Sequence, residues 1–134
     1  MWPADVPGSG LRIIRTVYRT AEGGHVDVIA VGEVDIAEEA RFRDAVLDPL
    51  RQRSVHRVVV DLGRLRFMGV CGANVLIEAH RESLRRAKRF HVVNVCGIPR
   101  RALKVLGVYD ALTSTPESPP ASTSRPVNVI GRTE

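Results

Sequence analysis

The chain has 134 residues and a formal net charge of +5, and 44% of its residues are apolar. This length fits one domain with a hydrophobic core, and its two cysteines are too few for a disulfide scaffold. No apolar run approaches the roughly 18 residues of a membrane span, and the start of the chain lacks the features of a signal peptide. We therefore expect a cytoplasmic protein with no membrane partner.

The start of the chain predicts a strand hairpin. Residues 1–10 contain two prolines and two glycines and should form a flexible lead-in. Apolar and β-branched residues over Leu11–Arg19 predict a first strand. The turn Glu22-Gly23-Gly24 then leads into a second strand over His25–Val31, so the two strands should pair.

A helix should follow the second strand. Asp35 and Glu38 have the spacing of a capping box, in which two residues satisfy the first free N–H groups of a helix. Pro49 disrupts helical hydrogen bonding, so the helix should kink or end near it. The predicted buried face has helical spacing and consists of Phe42, Val46, Leu47 and Leu50.

The middle of the chain predicts a central strand and a long helix. Three consecutive valines lie within Arg57–Leu62, and such continuous apolar runs are typical of the interior strands of parallel sheets. This strand should run into a turn, after which a helix should extend from about Val70 to Ala87. Its predicted inner face consists of Ala73, Leu76, Ile77, His80, Leu84 and Ala87.

The last elements are shorter. Phe90–Val95 predicts a fourth strand, which Gly97 breaks. Pro99 suits the first turn of a third helix and Gly107 suits its end, and Ala111–Thr113 could form a short fifth strand. The apolar face predicted for the third helix consists of Ile98, Ala102, Leu103 and Leu106.

The order of the elements predicts the fold class. A hairpin followed by right-handed crossovers, in the order β-β-α-β-α-β-α, indicates an α/β domain over residues 11–113, with a mixed β-sheet covered by helices. The composition then changes to Ser, Thr and Pro. Residues 114–134 cannot bury enough apolar surface to offset the entropy of ordering, so we expect a disordered tail.

Basic residues concentrate in two segments. In the second helix, Glu78 and Glu82 precede arginines by three or four residues, which is typical of a solvated helix face. The second segment contains Arg100, Arg101 and Lys104. No aromatic residues alternate with these basic ones to stack on bases, so we expect no nucleic-acid partner.

Four short segments carry a resemblance to a known family. Phe67-Met68-Gly69-Val70-Cys71-Gly72 resembles Phe-Met-Asp-Ser-Ser-Gly, in which the second serine accepts a phosphate. Gly32-Glu33-Val34-Asp35 is similar to a Gly-Glu-hydrophobic-Asp that ends a second strand, and Asp61-Leu62 and Ala102–Val108 match the flanking elements. In this order and at these spacings, the segments resemble the anti-sigma factor antagonists of the STAS family.

The resemblance implies a STAS-like fold and a bacterial regulatory function. Unphosphorylated members of the family bind an anti-sigma factor, usually a kinase of the GHKL type, and release its sigma factor. Phosphorylation of the switch serine adds charge to the interface and releases the partner. The family therefore implies a protein-binding regulator of transcription or stress response, with no enzymatic activity and no cofactor, and we expect a monomer or weak dimer.

Three residues depart from the family pattern at the switch. Gly69 stands where the Asp would be, Val70 where the first Ser would be, and Cys71 where the acceptor would be. A thiol does not accept a stable phosphate by the usual route, and the next hydroxyl downstream is Ser83. We therefore predict that this chain is not phosphorylated at the switch position.

The two cysteines suggest a different form of regulation. Cys71 opens the second helix, and Cys96 follows the fourth strand, so both thiols should lie at one edge of the sheet if their strands are parallel neighbours. Neighbouring strands are about 4.8 Å apart, which suits a disulfide after a small loop movement. A helix N-terminus should also lower the pKa of the Cys71 thiol. The alternative is two ordinary semi-buried cysteines.

The predicted partner-binding residues lie in the two turns and the start of the second helix. A simpler interpretation of Asp35 is a helix N-cap, and a simpler interpretation of Met68 is a core residue. The full predicted set is Glu33, Asp35, Met68, Gly69, Val70, Cys71, Gly72, Asn74 and Glu78.

Two other classes of function stay open. One is a STAS sensor or scaffold module in a larger signalling assembly. The other is a cysteine-dependent enzyme. This alternative is weaker, because the Cys-x5-Arg loop of thiol phosphatases is absent. The four histidines are scattered and lack the spacing of metal ligands, so we expect no metal.

Overall fold

The structure is a computed structural model that describes residues 10–114. It contains a four-stranded mixed sheet in the order β1-β2-β3-β4. Strand β1 (Leu11–Thr20) is antiparallel to β2 (Gly23–Val34), β2 is parallel to β3 (Val55–Met68), and β3 is parallel to β4 (Arg89–Val93). The predicted α/β class, hairpin and central parallel strand are confirmed, whereas the predictions for residues 1–9 and 115–134 lie outside the described residues.

Within residues 10–114, four helices contribute to the core. They are α1 (Glu39–Arg51), α2 (Val70–Arg85), α3 (Gly97–Val105) and α4 (Tyr109–Thr113). The core is almost entirely aliphatic, and burial along β2 alternates residue by residue, as expected of a strand with one face toward the core. The helix predicted to end near Pro49 ends two residues beyond it.

Strand β3 is longer than predicted and irregular. The sequence predicts a strand that stops at Leu62, but β3 continues to Met68. At three points β3 contributes one residue more than β2, and each extra residue is a β-bulge. Because a bulge shifts the alternation of side chains by one, Leu65 and Met68 are both buried, whereas Phe67 is exposed.

The predicted inner face of α2 is partly wrong. Ala73 and Leu76 are buried as predicted, but Leu84 is 66% exposed and Ala87 lies beyond the end of the helix. Besides Ala73 and Leu76, the core-facing side of α2 contains a row of residues four apart that the prediction missed. That row consists of Val75, Ala79 and Ser83.

The end of the domain also differs from the prediction. Residues Ala111–Thr113 belong to helix α4 rather than to a fifth strand, and Leu112 is buried. Three residues are too few for helical and strand periodicity to be distinguished. Gly107 does end α3 as predicted, with a left-handed φ of 76°. In the predicted apolar face of α3, Leu103 is buried but Ile98 and Leu106 are exposed.

Candidate functional site

Strands β2 and β3 end side by side at the carboxyl edge of the sheet. Val34 and Met68 form the last pair in their register, and the Gly69 N–H donates to the Val34 carbonyl at 3.0 Å. The turns that follow the two strands are therefore neighbours. We refer to residues 33–39 and 66–72 as the turn edge.

Asp35 caps the first of the two turns. Its Oδ1 accepts a hydrogen bond from the Ile36 N–H at 2.7 Å, at the start of a 3₁₀ turn that precedes α1. The predicted N-cap is thus confirmed, but the capping box with Glu38 is not formed. Glu38 is buried by the tight 3₁₀ turn and pairs with Arg41 at 2.9 Å instead.

Gly72 brings α2 into direct contact with the strands. A Cβ at Gly72 would lie 2.6 Å from Met68 Cγ and 2.9 Å from Val34 Cγ1. Both distances are shorter than a van der Waals contact, so only glycine fits here without movement of the core. Gly72 therefore holds the first turn of α2 against the ends of β2 and β3.

Gly69 is the N-cap of α2, and it offers no side chain to the helix. Its backbone is extended, with φ −78° and ψ 179°, so it does not require glycine. A Cβ at Gly69 would have no neighbour closer than Phe67 Cε2 at 3.7 Å. The position that carries Asp in the resembling family thus has room for a side chain in this chain.

Three apolar side chains are exposed around the two turns. Ile36 is 73% exposed and Val70 is 64% exposed, while Phe67 is 38% exposed. We refer to these three residues as the apolar patch. Sequence reasoning selected Val70 but missed Ile36 and Phe67. A local signal could have identified Ile36, because it is an apolar residue directly after an N-cap Asp. Phe67 has no such signal, because its exposure depends on a bulge.

Ion pairs connect the turn edge to the neighbouring helices. Glu33 lies 3.2 Å from Arg66 on the adjacent strand. Arg43 of α1 contacts Glu39 at 3.1 Å and also hydrogen-bonds Glu78 of α2. The hydrogen bond with Glu78 is the main cause that raises the pKa of Arg43. The Arg43–Glu78 hydrogen bond therefore links α1 to α2, whereas the Glu33–Arg66 pair links the two strands.

Cys71 is half-buried in the first turn of α2. Burial raises the pKa of its thiol, and the carboxylates of Glu39 and Asp35 raise it further. A backbone hydrogen bond from Gly72 acts in the opposite direction but is a smaller influence. The pKa of the Cys71 thiol is therefore raised and not lowered as expected, because burial and nearby negative charge outweigh the backbone hydrogen bonds at the start of the helix.

Cys71 comes after the end of β3 and Cys96 after the end of β4, but these two strands end at different levels of the sheet. Strand β4 ends at Val93, which pairs with Asp61, whereas β3 continues for seven more residues to Met68. At about 3.3 Å per residue this extension is on the order of 20 Å. The strands are parallel neighbours, as the disulfide prediction requires, but they do not end at one level, and the disulfide stays a prediction. Both thiols are free, and Cys96 is exposed at the N-cap of α3.

The turn edge brings together most of the predicted contact residues, but not all of them are accessible. Met68 and Gly72 are buried, so they support the turn and are not available to a partner. Gly69, Cys71 and Glu78 are half-buried. The exposed members of the predicted set are Glu33, Asp35, Val70 and Asn74.

The described residues lack a metal-binding cluster and a membrane-spanning helix. Residues 10–114 contain no group of three or more His, Cys, Asp or Glu side chains that could hold a metal ion. None of the helices in this part of the chain is both long enough and apolar enough to span a membrane.

Comparison with known proteins identifies the fold. A model of the STAS domain family matches residues 11–119. An anti-sigma factor antagonist from Mycobacterium paratuberculosis has a similar structure, with a TM-score of 0.66, 17% identity and coverage of 83% of this chain and 90% of that one.

Two structures of SpoIIAA are also similar. The unphosphorylated anti-sigma factor antagonist SpoIIAA gives a TM-score of 0.62 at 19% identity, over 75% of this chain and 86% of that one. The phosphorylated form of the Bacillus protein gives a TM-score of 0.58 at 19% identity, over 75% of this chain and 89% of that one. No curated protein sequence matches the chain.

Proposed function

Because this chain belongs to the STAS domain family, we propose that it is an anti-sigma factor antagonist. It binds an anti-sigma factor, of the GHKL kinase type, through the turn edge, and this binding releases the sigma factor. The cytoplasm and a bacterial stress response are the setting that this proposal implies. The chain supplies a binding surface, and the kinase chemistry belongs to its partner.

The apolar patch is the observation that carries the proposal. Ile36, Phe67 and Val70 are exposed on two turns that a backbone hydrogen bond holds together. Large apolar side chains on a rigid frame are the usual anchors of a protein interface, and polar residues usually surround them. Asp35 and Glu33 provide such a polar rim here.

The proposed antagonist does not respond to ATP. Gly69, Val70 and Cys71 provide no hydroxyl at the start of α2. Ser83 is only 2% exposed, and its hydroxyl donates to the His80 carbonyl at 2.7 Å, so a kinase cannot reach it in the folded domain. The chain should therefore remain able to bind while its partner hydrolyses ATP.

Redox regulation through Cys71 and Cys96 stays a prediction, and we leave it out of the proposal. The different levels of the two strand ends and the raised pKa of Cys71 both count against it. The sensor or scaffold function also stays a prediction, which self-assembly without any anti-sigma partner would favour.

A gain of function tests the proposal. The triple variant Gly69→Asp/Val70→Ser/Cys71→Ser restores the family's switch sequence. Wild type, this variant and a control with Cys71→Ala in place of Cys71→Ser are each incubated with the host's anti-sigma kinases and ATP. Intact mass and pull-down measure phosphorylation and binding.

We expect all three proteins to bind one anti-sigma kinase without ATP, and the two variants should bind more weakly than the wild type because Val70→Ser removes one of the three apolar anchors. With ATP, the triple variant alone should gain a phosphate and dissociate. Absence of binding to every anti-sigma kinase contradicts the proposed function. If the wild type gains a phosphate, its predicted insensitivity to ATP is contradicted, but its proposed binding to an anti-sigma kinase is not.

A further inference from the structure

The outer side of α3 combines cationic and apolar side chains. The helix is held to the domain by its inner side, where Leu103 and Pro99 are buried. At 100° per residue, the residues of the opposite side lie within an arc of about 160°. These outward residues are Ile98, Arg100, Arg101, Lys104 and Val105, and we refer to them together as the α3 outer face.

In the described part of the chain no ion pair neutralises the cations of the α3 outer face, although Asp110 lines the same cleft as Lys104. The segment Gly97–Leu106 contains no acidic residue. Within residues 10–114, none of its three cations forms an ion pair. Arg100 and Lys104 instead lie over the Tyr109 ring, at 5.6 Å and 4.9 Å from its centroid. By contrast, Arg85 and Arg86 on α2 both pair with Glu82.

The apolar side chains on the same face are also exposed. Val105 is 78% exposed and Ile98 is 51% exposed, and Leu106 beside them is 42% exposed. Ile98 and Val105 are seven residues apart and therefore lie on one side of the helix, about 10.5 Å from each other along its axis. An exposed apolar row within a cationic face is the pattern of helices that bind at a membrane surface.

We propose that the α3 outer face binds an anionic lipid surface and places the protein peripherally on a membrane. The cations contact lipid phosphates, while Ile98 and Val105 enter the boundary between headgroups and acyl chains. Charge complementarity selects this occupant, because a membrane's inner surface is negative and the face carries no negative group. This inference does not depend on the proposed anti-sigma function, and it replaces the expectation of no membrane partner, which rested on the absence of a membrane span.

Two other occupants fit the face less well. A second copy of the chain would bring two sets of unpaired cations together, which repels. A nucleic acid would gain no stacking, because Ile98 and Val105 stand where a base-binding face carries exposed aromatic rings. An acidic protein surface shares the charge complementarity, and the experiment separates it from lipid.

The test uses the full chain and cosedimentation with vesicles. One set of vesicles is pure phosphatidylcholine, and the other contains phosphatidylglycerol as well. Binding is measured at about 0.1 M salt and again at about 1 M, where the Debye length falls from about 10 Å to about 3 Å. Soluble polyglutamate is offered separately as an acidic polypeptide.

Two variants and a matched control resolve the contributions. Arg101→Glu/Lys104→Glu reverses two cations of the face, and Arg12→Glu/Arg15→Glu makes the same change of net charge at exposed positions of β1. Since each cation near an anionic surface contributes about fivefold, the first variant should bind at least about 25-fold more weakly. Val105→Ser should weaken binding by about threefold to tenfold without any change of charge. Thermal unfolding verifies that each variant folds.

We expect binding only to the phosphatidylglycerol vesicles, loss of that binding at high salt, and a control variant that binds nearly as well as wild type. Absence of binding to anionic vesicles at low salt overturns the proposal, as does binding to polyglutamate but not to vesicles. An equal loss of binding in both charge-reversal variants also overturns it, because net charge alone would then explain the attraction.

Discussion

The two ends of the parallel strands are built differently. At the amino ends, Lys88 donates from Nζ to the carbonyls of Leu50 at 2.8 Å and Gln52 at 2.5 Å, and the Gly24 N–H donates to the Ser54 carbonyl at 2.7 Å. At the carboxyl ends, by contrast, the apolar patch faces outward. We refer to the amino ends, with Gly24, Leu50, Gln52, Ser54 and Lys88, as the amino edge. Its polar groups form hydrogen bonds within the domain, whereas the turn edge leaves side chains available for a partner.

Two glycines, Gly24 at the amino edge and Gly69 at the turn edge, differ in the space beside them. A Cβ at Gly24 would lie 2.8 Å from the Ser54 carbonyl oxygen, which is backbone and cannot easily move. A Cβ at Gly69 would have no neighbour closer than 3.7 Å. Gly24 at the amino edge therefore tolerates little change, and neither does Gly72 at the turn edge, where a Cβ would lie 2.6 Å from Met68 Cγ. Only the N-cap Gly69 can vary without cost to packing.

The largest effect should come from charges placed in the apolar patch. Ile36→Asp/Val70→Asp should weaken binding to the anti-sigma partner at least about 100-fold, because truncated or charged anchors lose most of an interface's energy. The free energy of unfolding should change by only about 0.5 kcal/mol, since both side chains are exposed. Titration calorimetry and urea unfolding measure the two quantities. The control is Leu84→Asp, at an exposed apolar position near the other end of α2, and equal losses in both variants would contradict the assignment.

The next effect should be a loss of stability at the amino edge. Lys88→Met removes a charged donor from two carbonyls near the end of α1, so we expect the free energy of unfolding to fall by about 2 to 3 kcal/mol. Partner affinity should not change. Urea unfolding measures the loss, and Arg89→Met, at the adjacent exposed position, is the control. A destabilisation of Arg89→Met as large as that of Lys88→Met would show that the two hydrogen bonds contribute little.

A pair of glycine substitutions sharpens the comparison. Gly24→Ala should lower the free energy of unfolding by about 1 to 2 kcal/mol, because the added methyl group meets the Ser54 carbonyl. Gly69→Asp should raise it by about 0.5 kcal/mol, because the carboxylate caps α2 and faces the positive end of the helix dipole. Thermal unfolding of the two variants measures both shifts. Effects of the same sign would contradict the difference between the two edges.

The smallest effect should be the response to pH, and it should leave the turn edge unaffected. His91 is 7% exposed, and burial lowers its pKa, with further lowering by Arg57 and His25. Below about pH 6.5 the unfolded chain takes up a proton before the folded one does. Stability should therefore be complete above about pH 6.5 and should fall as the pH decreases from there toward the lower folded pKa of His91.

Urea unfolding between about pH 8 and about pH 5 measures this response. His91→Gln should flatten the dependence of stability on pH. Partner affinity should vary little with pH through this residue, because His91 lies in the middle of β4, opposite Val59. A pH dependence that persists unchanged in the variant would assign the titration to another group.

The order of elements is well predicted from the sequence because each signal is local. Three consecutive valines predict the central strand, and Gly107 predicts the end of α3 because its left-handed backbone is unfavourable for other residues. Asp35 predicts a helix start because its side chain satisfies a neighbouring N–H group. The position of the turn edge follows from the same local signals.

The parts that the sequence does not predict depend on pairing between distant residues. The bulges of β3 arise from its register with β2, and they determine that Phe67 is exposed and Met68 is buried. β3 precedes Cys71 and β4 precedes Cys96, and the distance between the ends of these strands depends on where β4 stops along β3. The burial of Cys71, which raises its pKa, likewise depends on how α2 packs on the strands. None of these features has a local sequence signature.

Displacement of the sigma factor tests the central claim most directly. The chain is added to a complex of the anti-sigma kinase with fluorescently labelled sigma factor, in the presence of Mg²⁺ and ATP, and anisotropy reports the release of sigma. The proposed function predicts release that lasts as long as ATP is present. A sigma factor that stays bound contradicts antagonism, and release that reverses as ATP is consumed contradicts insensitivity to phosphorylation.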